Sequence, residues 1–184
     1  AKDCSIISAP LYHKNALLAV KSALACGGRV VLLSRFNVGD YIKSIETHRL
    51  TILTGVPTMY ALLLQQEELL KQTNLSSVRV LSMGSAPASE VLLDDLQEVF
   101  PQARINLNYG ITEGGPILLS WKHAKGLKKP RASIGYPFSE VEIKLANGPN
   151  VDEGILFTRN PGVMLGYHNL TEETTKSAQE ETER

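Results

Sequence analysis

Short apolar runs alternate with longer mixed runs through the first two thirds of the chain. Cys4 to Ala9 is apolar and stops at Pro10, the length of a buried strand. Lys14 to Ala25, rich in Ala and Leu, predicts a helix that Gly27-Gly28 closes. Arg29 to Leu33 is a β-branched run, and Val38 to His48 carries Ile42 and Ile45 at helical spacing. Leu50 to Leu53 reads as the next strand. Pro57 suits a first helical turn and predicts a helix reaching about Leu70. Strand Val78 to Ser82, helix Ala88 to Val99 and strand Ala103 to Leu107 follow. Repeated strand–helix units predict an α/β fold, a mainly parallel sheet flanked by helices, and the right-handed crossover rule leaves it few topologies.

The pattern changes after about Ser120. Lys122 to Lys129 is basic and contains Gly, the composition of a solvated surface loop. Val141 to Leu145 and Ile155 to Thr158 alternate between Gly and Pro turns, which predicts a small antiparallel, barrel-like β portion. Thr171 to Arg184 is polar and charged, either a helix with Thr171 as N-cap or a frayed tail. The expected organisation is therefore an α/β part over 1–120, a β-rich part over 121–170 and a terminal stretch over 171–184.

Charge and cysteine content narrow the function classes. Lys+Arg and Asp+Glu both count 19, a balance that argues against a nucleic-acid partner. No apolar run approaches the length of a membrane span. Ala1-Lys2-Asp3-Cys4 has none of the zones of a signal peptide. The two cysteines, Cys4 and Cys26, fit a reducing compartment and read as buried small hydrophobes. A cytoplasmic setting is the expectation.

In an open parallel sheet, ligands bind outside the carboxyl ends of the strands. The loops leaving those ends hold Pro10-Leu11-Tyr12-His13, Gly55-Val56-Pro57-Thr58, Gly84-Ser85-Ala86-Pro87 and Tyr109 to Glu113, and the alternation predicts that all four meet on one edge. The run Asn108-Tyr109-Gly110-Ile111-Thr112-Glu113 sets out what a nucleotide site needs. It has an aromatic face for a base, a glycine that lets backbone approach, a hydroxyl for phosphate, and an oxygen ligand for Mg²⁺. Each residue also has a plainer reading. Tyr109 suits a half-buried core, Glu113 a helix N-terminus, His13 a structural contact, and the Gly84 loop an ordinary strand-to-helix turn.

Tyr109-Gly110-Ile111-Thr112-Glu113 resembles the Tyr-Gly-x-Thr-Glu motif of adenylate-forming enzymes, the superfamily of acyl- and aryl-CoA synthetases, luciferases and peptide-synthetase adenylation domains. Further segments resemble that family in the same order. Pro10-Leu11-Tyr12-His13 is similar to its Pro-x-x-His segment, and Met83 to Pro87 to its Gly-Gly/Ser-Ala-Pro loop. Ser133 to Pro137 is similar to its Ser-x-Gly-x-Pro turn. Gly154 to Asn169 resembles its Gly-Glu-Leu-x-x-Arg-Gly-Pro-x-x-Met-x-Gly-Tyr stretch, with Ile155 and Asn160 replacing the usual Glu and Gly.

The resemblance implies that Gly84, Ser85, Ala86, Pro87, Asn108, Tyr109, Gly110 and Thr112 surround a nucleotide, with Thr112 on the α-phosphate. It implies that Glu113 ligates Mg²⁺, and that Thr112 and Glu113 are the catalytic pair. His13, Asn15, Ala19, Gly84, Ile111, Pro116 and Ile117 would border the acyl and pantetheine pocket. The implied reaction joins a carboxylate to ATP, giving acyl-adenylate and pyrophosphate, after which coenzyme A displaces AMP. No match to the family's Gly-rich phosphate loop, its Thr-Gly-Asp or its mobile C-terminal domain occurs here. The expectation is therefore the second half of the large N-terminal domain, dependent on the missing N- and C-terminal parts and inactive alone. Tyr12-His13-Lys14-Asn15 lacks the Asp that peptide-synthetase domains use for an ammonium, and Ile111 replaces their Pro. That alternative and a non-catalytic α/β binding module rank behind an acyl- or aryl-CoA synthetase.

Overall fold

The computed structural model describes residues 3–115, 117–120 and 126–177. Strands β1 (Cys4–Ile7), β2 (Arg29–Leu32), β3 (Ile52–Gly55), β4 (Val80–Gly84) and β5 (Arg104–Asn108) form a parallel sheet in the order β2-β1-β3-β4-β5. The step from β1 to β2 runs one way across the sheet, and every later step runs the other way. Right-handed crossovers then send the first helix, α1 (Lys14–Ala25), to one face and the later helices to the other. These are α2 (Val38–His48), α3 (Pro57–Leu64), α4 (Glu67–Gln72) and α5 (Glu90–Val99).

The core lies on the four-helix face. Alternate strand residues Cys4, Ile6, Leu53, Leu81, Met83 and Leu107 meet Ile42 and Ile45 of α2, Tyr60 and Leu63 of α3, and Leu93 and Leu96 of α5, all buried. Each such Leu or Ile contributes about 1.5–3 kcal/mol by leaving water. Two tyrosines bring hydroxyls into this core and satisfy them there. Tyr41 donates to Thr54 O at 2.8 Å, and Tyr60 to Leu53 O at 2.9 Å and Ser82 O at 3.1 Å. Burial pushes both phenols well above their ordinary range.

The helix starts are read from their caps. Asn37 Oδ1 accepts from Asp40 N at 3.0 Å for α2, and Ser89 Oγ accepts from Leu92 N at 3.2 Å for α5. His13 caps α1 through Nδ1, which accepts from Asn15 N at 3.4 Å. Gly27 ends that helix at φ 67, where a side chain would be strained.

Several expectations need correcting. The helix predicted from Pro57 to Leu70 breaks at Gln66 (ψ 49), giving α3 and α4, although no Gly or Pro marks the break. The strands β3, β4 and β5 run on past the ends of their apolar runs, because ladder hydrogen bonding, not apolar content, sets where a strand stops. Cys4 is buried as expected, but Cys26 is exposed, since it sits beyond the last turn of α1.

The later part consists of two antiparallel ribbons. One pairs β6 (Leu119–Ser120) with β7 (Tyr136–Pro137), the other β8 (Glu142–Asn150) with β9 (Glu153–Arg159). Among the described residues they do not close into a barrel. Lys129, read as a solvated charge, instead donates to the carbonyls of Pro130, Arg131 and Ser133 at 3.2, 3.1 and 2.5 Å. It fixes the turn before β7; the rest of that basic stretch lies partly outside the described residues. Helix α6 (Thr171–Ser177) includes Thr171 as its first residue. No helix among the described residues is long and apolar enough to cross a membrane.

Candidate functional site

The four loops do meet on one edge. Strand β1 lies between β2 and β3, and the connections leaving β1 and β3 depart to opposite faces, which opens a crevice at their carboxyl ends. On the α1 face of the sheet a cavity of about 580 Å³ is lined by Ser5, Ile7, Thr54, Ser82 and Gly84 from the strands, and by Asn15, Ala19 and Ser22 from α1. Pro10, His13, Val56 and Ile117 also border it. A smaller cavity of about 240 Å³ adjoins it and is lined by Lys14, Tyr109, Gly110, Ile111, Thr112 and Glu113. His13, Asn15, Ser85 and Asn108 border both.

Close strand packing builds the rim between the two cavities. Gly84 is the register partner of Asn108, and a Cβ on it would lie 2.9 Å from Asn108 O. Only glycine lets the two strand ends come together here. Ser85 then turns the chain at φ 68, a conformation that costs a non-glycine residue about 1 kcal/mol or more. Its hydroxyl accepts from Asn15 Nδ2 at 2.7 Å, tying the turn to α1. Asn108 Nδ2 donates to Ser82 Oγ at 2.7 Å and braces the same edge across β4.

The residues after Tyr109 are strapped down from far along the chain. Tyr167 donates its hydroxyl hydrogen to Glu113 Oε1 at 2.6 Å, and Met164 N donates to Glu113 O at 2.8 Å. Asn160 Nδ2 donates to Gly114 O at 2.6 Å while its Oδ1 accepts from Gly162 N at 2.8 Å. Asn160, a departure from the expected Gly, thus supplies the turn contact with its own side chain. The Tyr167 hydrogen bond holds the Glu113 carboxyl below its usual range, a backbone hydrogen bond adds to this, and the nearby Lys14 ammonium helps despite partial desolvation. Partial burial lowers Lys14 from its ordinary value, and Glu113 opposes that shift.

Not every expected residue falls in a cavity. Ala86 and Pro87 are exposed and line neither one. Ile111, expected on the acyl side with Ala19 and Ile117, lines only the smaller cavity. Pro116 lies outside the described residues.

Three residues of this region had no expected role. Ser8 borders the large cavity at 8% exposure, and its Oγ is buried with no hydrogen-bond partner among the described residues. Lys14 stands next to His13, and a cation at the start of a helix is itself a signal. Tyr167 carries no local signal of its distant partner.

A doubly wound sheet with paired cavities at its carboxyl edge defines the class, an α/β ligand-binding domain. The profile of the AMP-binding enzyme family matches residues 1–168, and the chain belongs to that family. It is 30% identical over 188 residues to a 4-coumarate–CoA ligase of Pinus taeda, covering 97% of this chain and 35% of that protein. It is 32% identical over 175 residues to a 2-succinylbenzoate–CoA ligase of Bacillus subtilis, covering 91% of this chain and 34% of that protein. The chain therefore spans about a third of the length of these relatives. Among solved structures, the Bacillus subtilis O-succinylbenzoate coenzyme A synthetase in complex with ATP and magnesium superposes at TM-score 0.77 and 29% identity, over 97% of this chain and 37% of that one. A long-chain-fatty-acid–CoA ligase of Archaeoglobus fulgidus shares the fold at TM-score 0.80 and 23% identity, over 95% of this chain and 37% of that one.

Proposed function

We propose that this chain carries half of the nucleotide and acyl site of an AMP-forming acyl- or aryl-CoA synthetase, which activates a carboxylate with ATP and passes it to coenzyme A. The observation that supports this most is the junction of the two cavities. The Gly84 turn and the Tyr109–Glu113 loop lie on neighbouring strand ends, with the smaller cavity on one side and the larger, mainly apolar one under α1 on the other. In this reading Tyr109 stacks on the adenine, Ser85 presents backbone to it, Gly84 lets the two strand ends close beneath it, and Thr112 bonds the α-phosphate. His13, Asn15, Ala19 and Ile117 border the acyl group.

The donor set fits Mg²⁺ held together with ATP. No group of three or more His, Cys, Asp or Glu residues suited to a metal occurs among the described residues. Mg²⁺ bound through one carboxylate, phosphate oxygens and waters needs no such group. Tyr167 bonds Glu113 Oε1, and a carboxylate, with about four lone-pair sites, can ligate a cation alongside such a hydrogen bond. When bound, the cation would neutralise developing charge at the α-phosphate. Thr112 and Glu113 are the chain's own contribution to that step. The cationic groups that hold a pentacovalent phosphorus must come largely from elsewhere in the longer protein, so the chain by itself forms no acyl-adenylate.

Calorimetric titration with Mg²⁺-ATP tests the half-site. Wild type binds, and Tyr109→Ala weakens binding by about 1–3 kcal/mol, the worth of one aromatic–base stack. Absence of binding by the wild type, or indifference to Tyr109→Ala, rejects the assignment. Pyrophosphate exchange catalysed by this chain alone would refute its inactivity.

A further inference from the structure

Lys14 is a basic side chain without an assigned task, and the smaller cavity is where it stands. That cavity holds Thr112 and Glu113 on one side and the start of α1 on the other. Among the described residues no hydrogen bond or ion pair holds the Lys14 ammonium, while Glu113 takes its own hydrogen bond from Tyr167. The position is also unfavourable for a cation. Lys14 is the first residue of α1, whose positive end disfavours a cation, and the first turn contains no acidic residue to offset this. Two positive contributions, the Lys14 ammonium and the start of α1, thus face this cavity. The hydroxyls of Ser85, Tyr109 and Thr112 line it, and among the described residues Glu113 is its single carboxylate, an arrangement that an anion would complete.

We propose that Lys14 is an anion-binding residue of this site, its ammonium bonding a phosphate oxygen of the nucleotide beside Thr112. The inference rests on the nucleotide reading above and adds a residue to it. A phosphate oxygen suits the position better than a substrate carboxylate, because Lys14 lines the cavity of Thr112 and Glu113 and is absent from the lining of the larger, apolar one. A charge-assisted bond to phosphate, formed in a partly desolvated place, is worth more than its surface counterpart.

Comparing AMP with adenosine isolates the contact, since the two ligands differ only in the phosphate. Affinities of both are measured for wild type, Lys14→Gln, Lys14→Arg and Tyr109→Ala, with circular dichroism melting to verify folding. Lys14→Gln is expected to lose about tenfold or more in AMP affinity and to leave adenosine unchanged. Lys14→Arg restores most of the loss, and raising ionic strength weakens AMP more in wild type than in Lys14→Gln. Equal weakening of AMP and adenosine would make Lys14 a structural residue and overturn the proposal. Unchanged AMP affinity would assign the ammonium to Glu113 alone and overturn it as well. If Tyr109→Ala leaves adenosine binding intact, or wild type binds neither ligand, the nucleotide reading itself fails and takes this proposal with it. Should Lys14→Gln not fold, Lys14→Met and the salt dependence of wild type decide the matter in the same terms.

Discussion

Tyr167 and Glu113 stand 54 positions apart in the chain and share a hydrogen bond of 2.6 Å. It fastens the segment after β9 to the loop after β5, and it fixes the orientation of Glu113, the one carboxylate among the described residues that line the smaller cavity. If Glu113 ligates Mg²⁺, Tyr167 is its positioning residue, and groups of that kind change metal affinity by about 10–100-fold when removed. Tyr167→Phe should weaken Mn²⁺ binding in the presence of ATP by at least the lower figure. Stability should fall by only about 1 kcal/mol. Water proton relaxation with Mn²⁺ as the probe measures the first, and urea unfolding the second. Undiminished Mn²⁺ affinity in Tyr167→Phe would remove the positioning role.

Gly84 and Gly39 make opposite predictions for the same substitution. A Cβ on Gly84 would meet Asn108 O at 2.9 Å, a backbone atom that moves only if β4 and β5 part. Gly84→Ala should cost about 1–3 kcal/mol, as overpacking does. A Cβ on Gly39, inside α2, would meet only Asn37 Oδ1 at 3.4 Å, an ordinary contact. Gly39→Ala should stabilise by about 0.4–1 kcal/mol, because the unfolded chain loses freedom. Unfolding midpoints in urea decide both, and a stabilised Gly84→Ala would contradict the strand-end geometry.

These two cases mark what the sequence could and could not reveal. The alternation of apolar runs was enough to predict the parallel sheet and the edge where its loops gather, because buried strands and amphipathic helices carry their period in consecutive residues. Gly84 was legible as a small residue in a turn. Its reason, the approach of Asn108, depends on a register between strands that no local pattern states. Tyr167 and Ser8 were missed for the same cause, since each acquires its meaning from a partner or cavity brought near only by folding; Lys14, a cation opening a helix, left a local sign, but not of the cavity it faces. The break at Gln66 and the exposure of Cys26 depend on packing as well. The adenylate-forming resemblance named candidate site residues through short motifs, and the family match over 1–168 agrees with the family it named.

Tyr60 offers a measure of how firmly β3 and β4 are held. Its hydroxyl, fully buried, bonds the carbonyls of Leu53 and Ser82, one on each strand. Tyr60→Phe keeps the ring and leaves those two carbonyls with one partner fewer. A loss of about 1–3 kcal/mol is expected from the unmet acceptors. A change in urea midpoint with no change in its slope would place the effect in stability alone. A neutral substitution would mean that the hydroxyl is dispensable to the junction.

At the other end of the sheet, Asp3 ties the start of β1 to the starts of β2, β3 and β4 and makes their union sensitive to acid. Its Oδ1 accepts from the Thr51 hydroxyl at 2.7 Å and pairs with Arg79, while its carbonyl accepts from Arg29 N at 2.8 Å. The Thr51 hydrogen bond lowers the carboxyl from its ordinary range; partial burial opposes it, and Arg79 adds to the lowering through hydrogen bonding and charge. A depressed carboxyl stabilises the fold above its unfolded pKa and loses that contribution as pH falls through the folded value. Stability should therefore decline on acidification, over a range beginning near the ordinary aspartate pKa of about 4. Asp3→Asn should lower stability near neutrality and converge with wild type once Asp3 is protonated in both states. High salt should shrink the difference only in part, because it screens the exposed Arg79 pair and leaves the Thr51 bond in place. Urea midpoints of the two proteins, compared from neutral pH downward, carry the test, and parallel curves that never approach each other would show that the Asp3 carboxylate is not what acid removes.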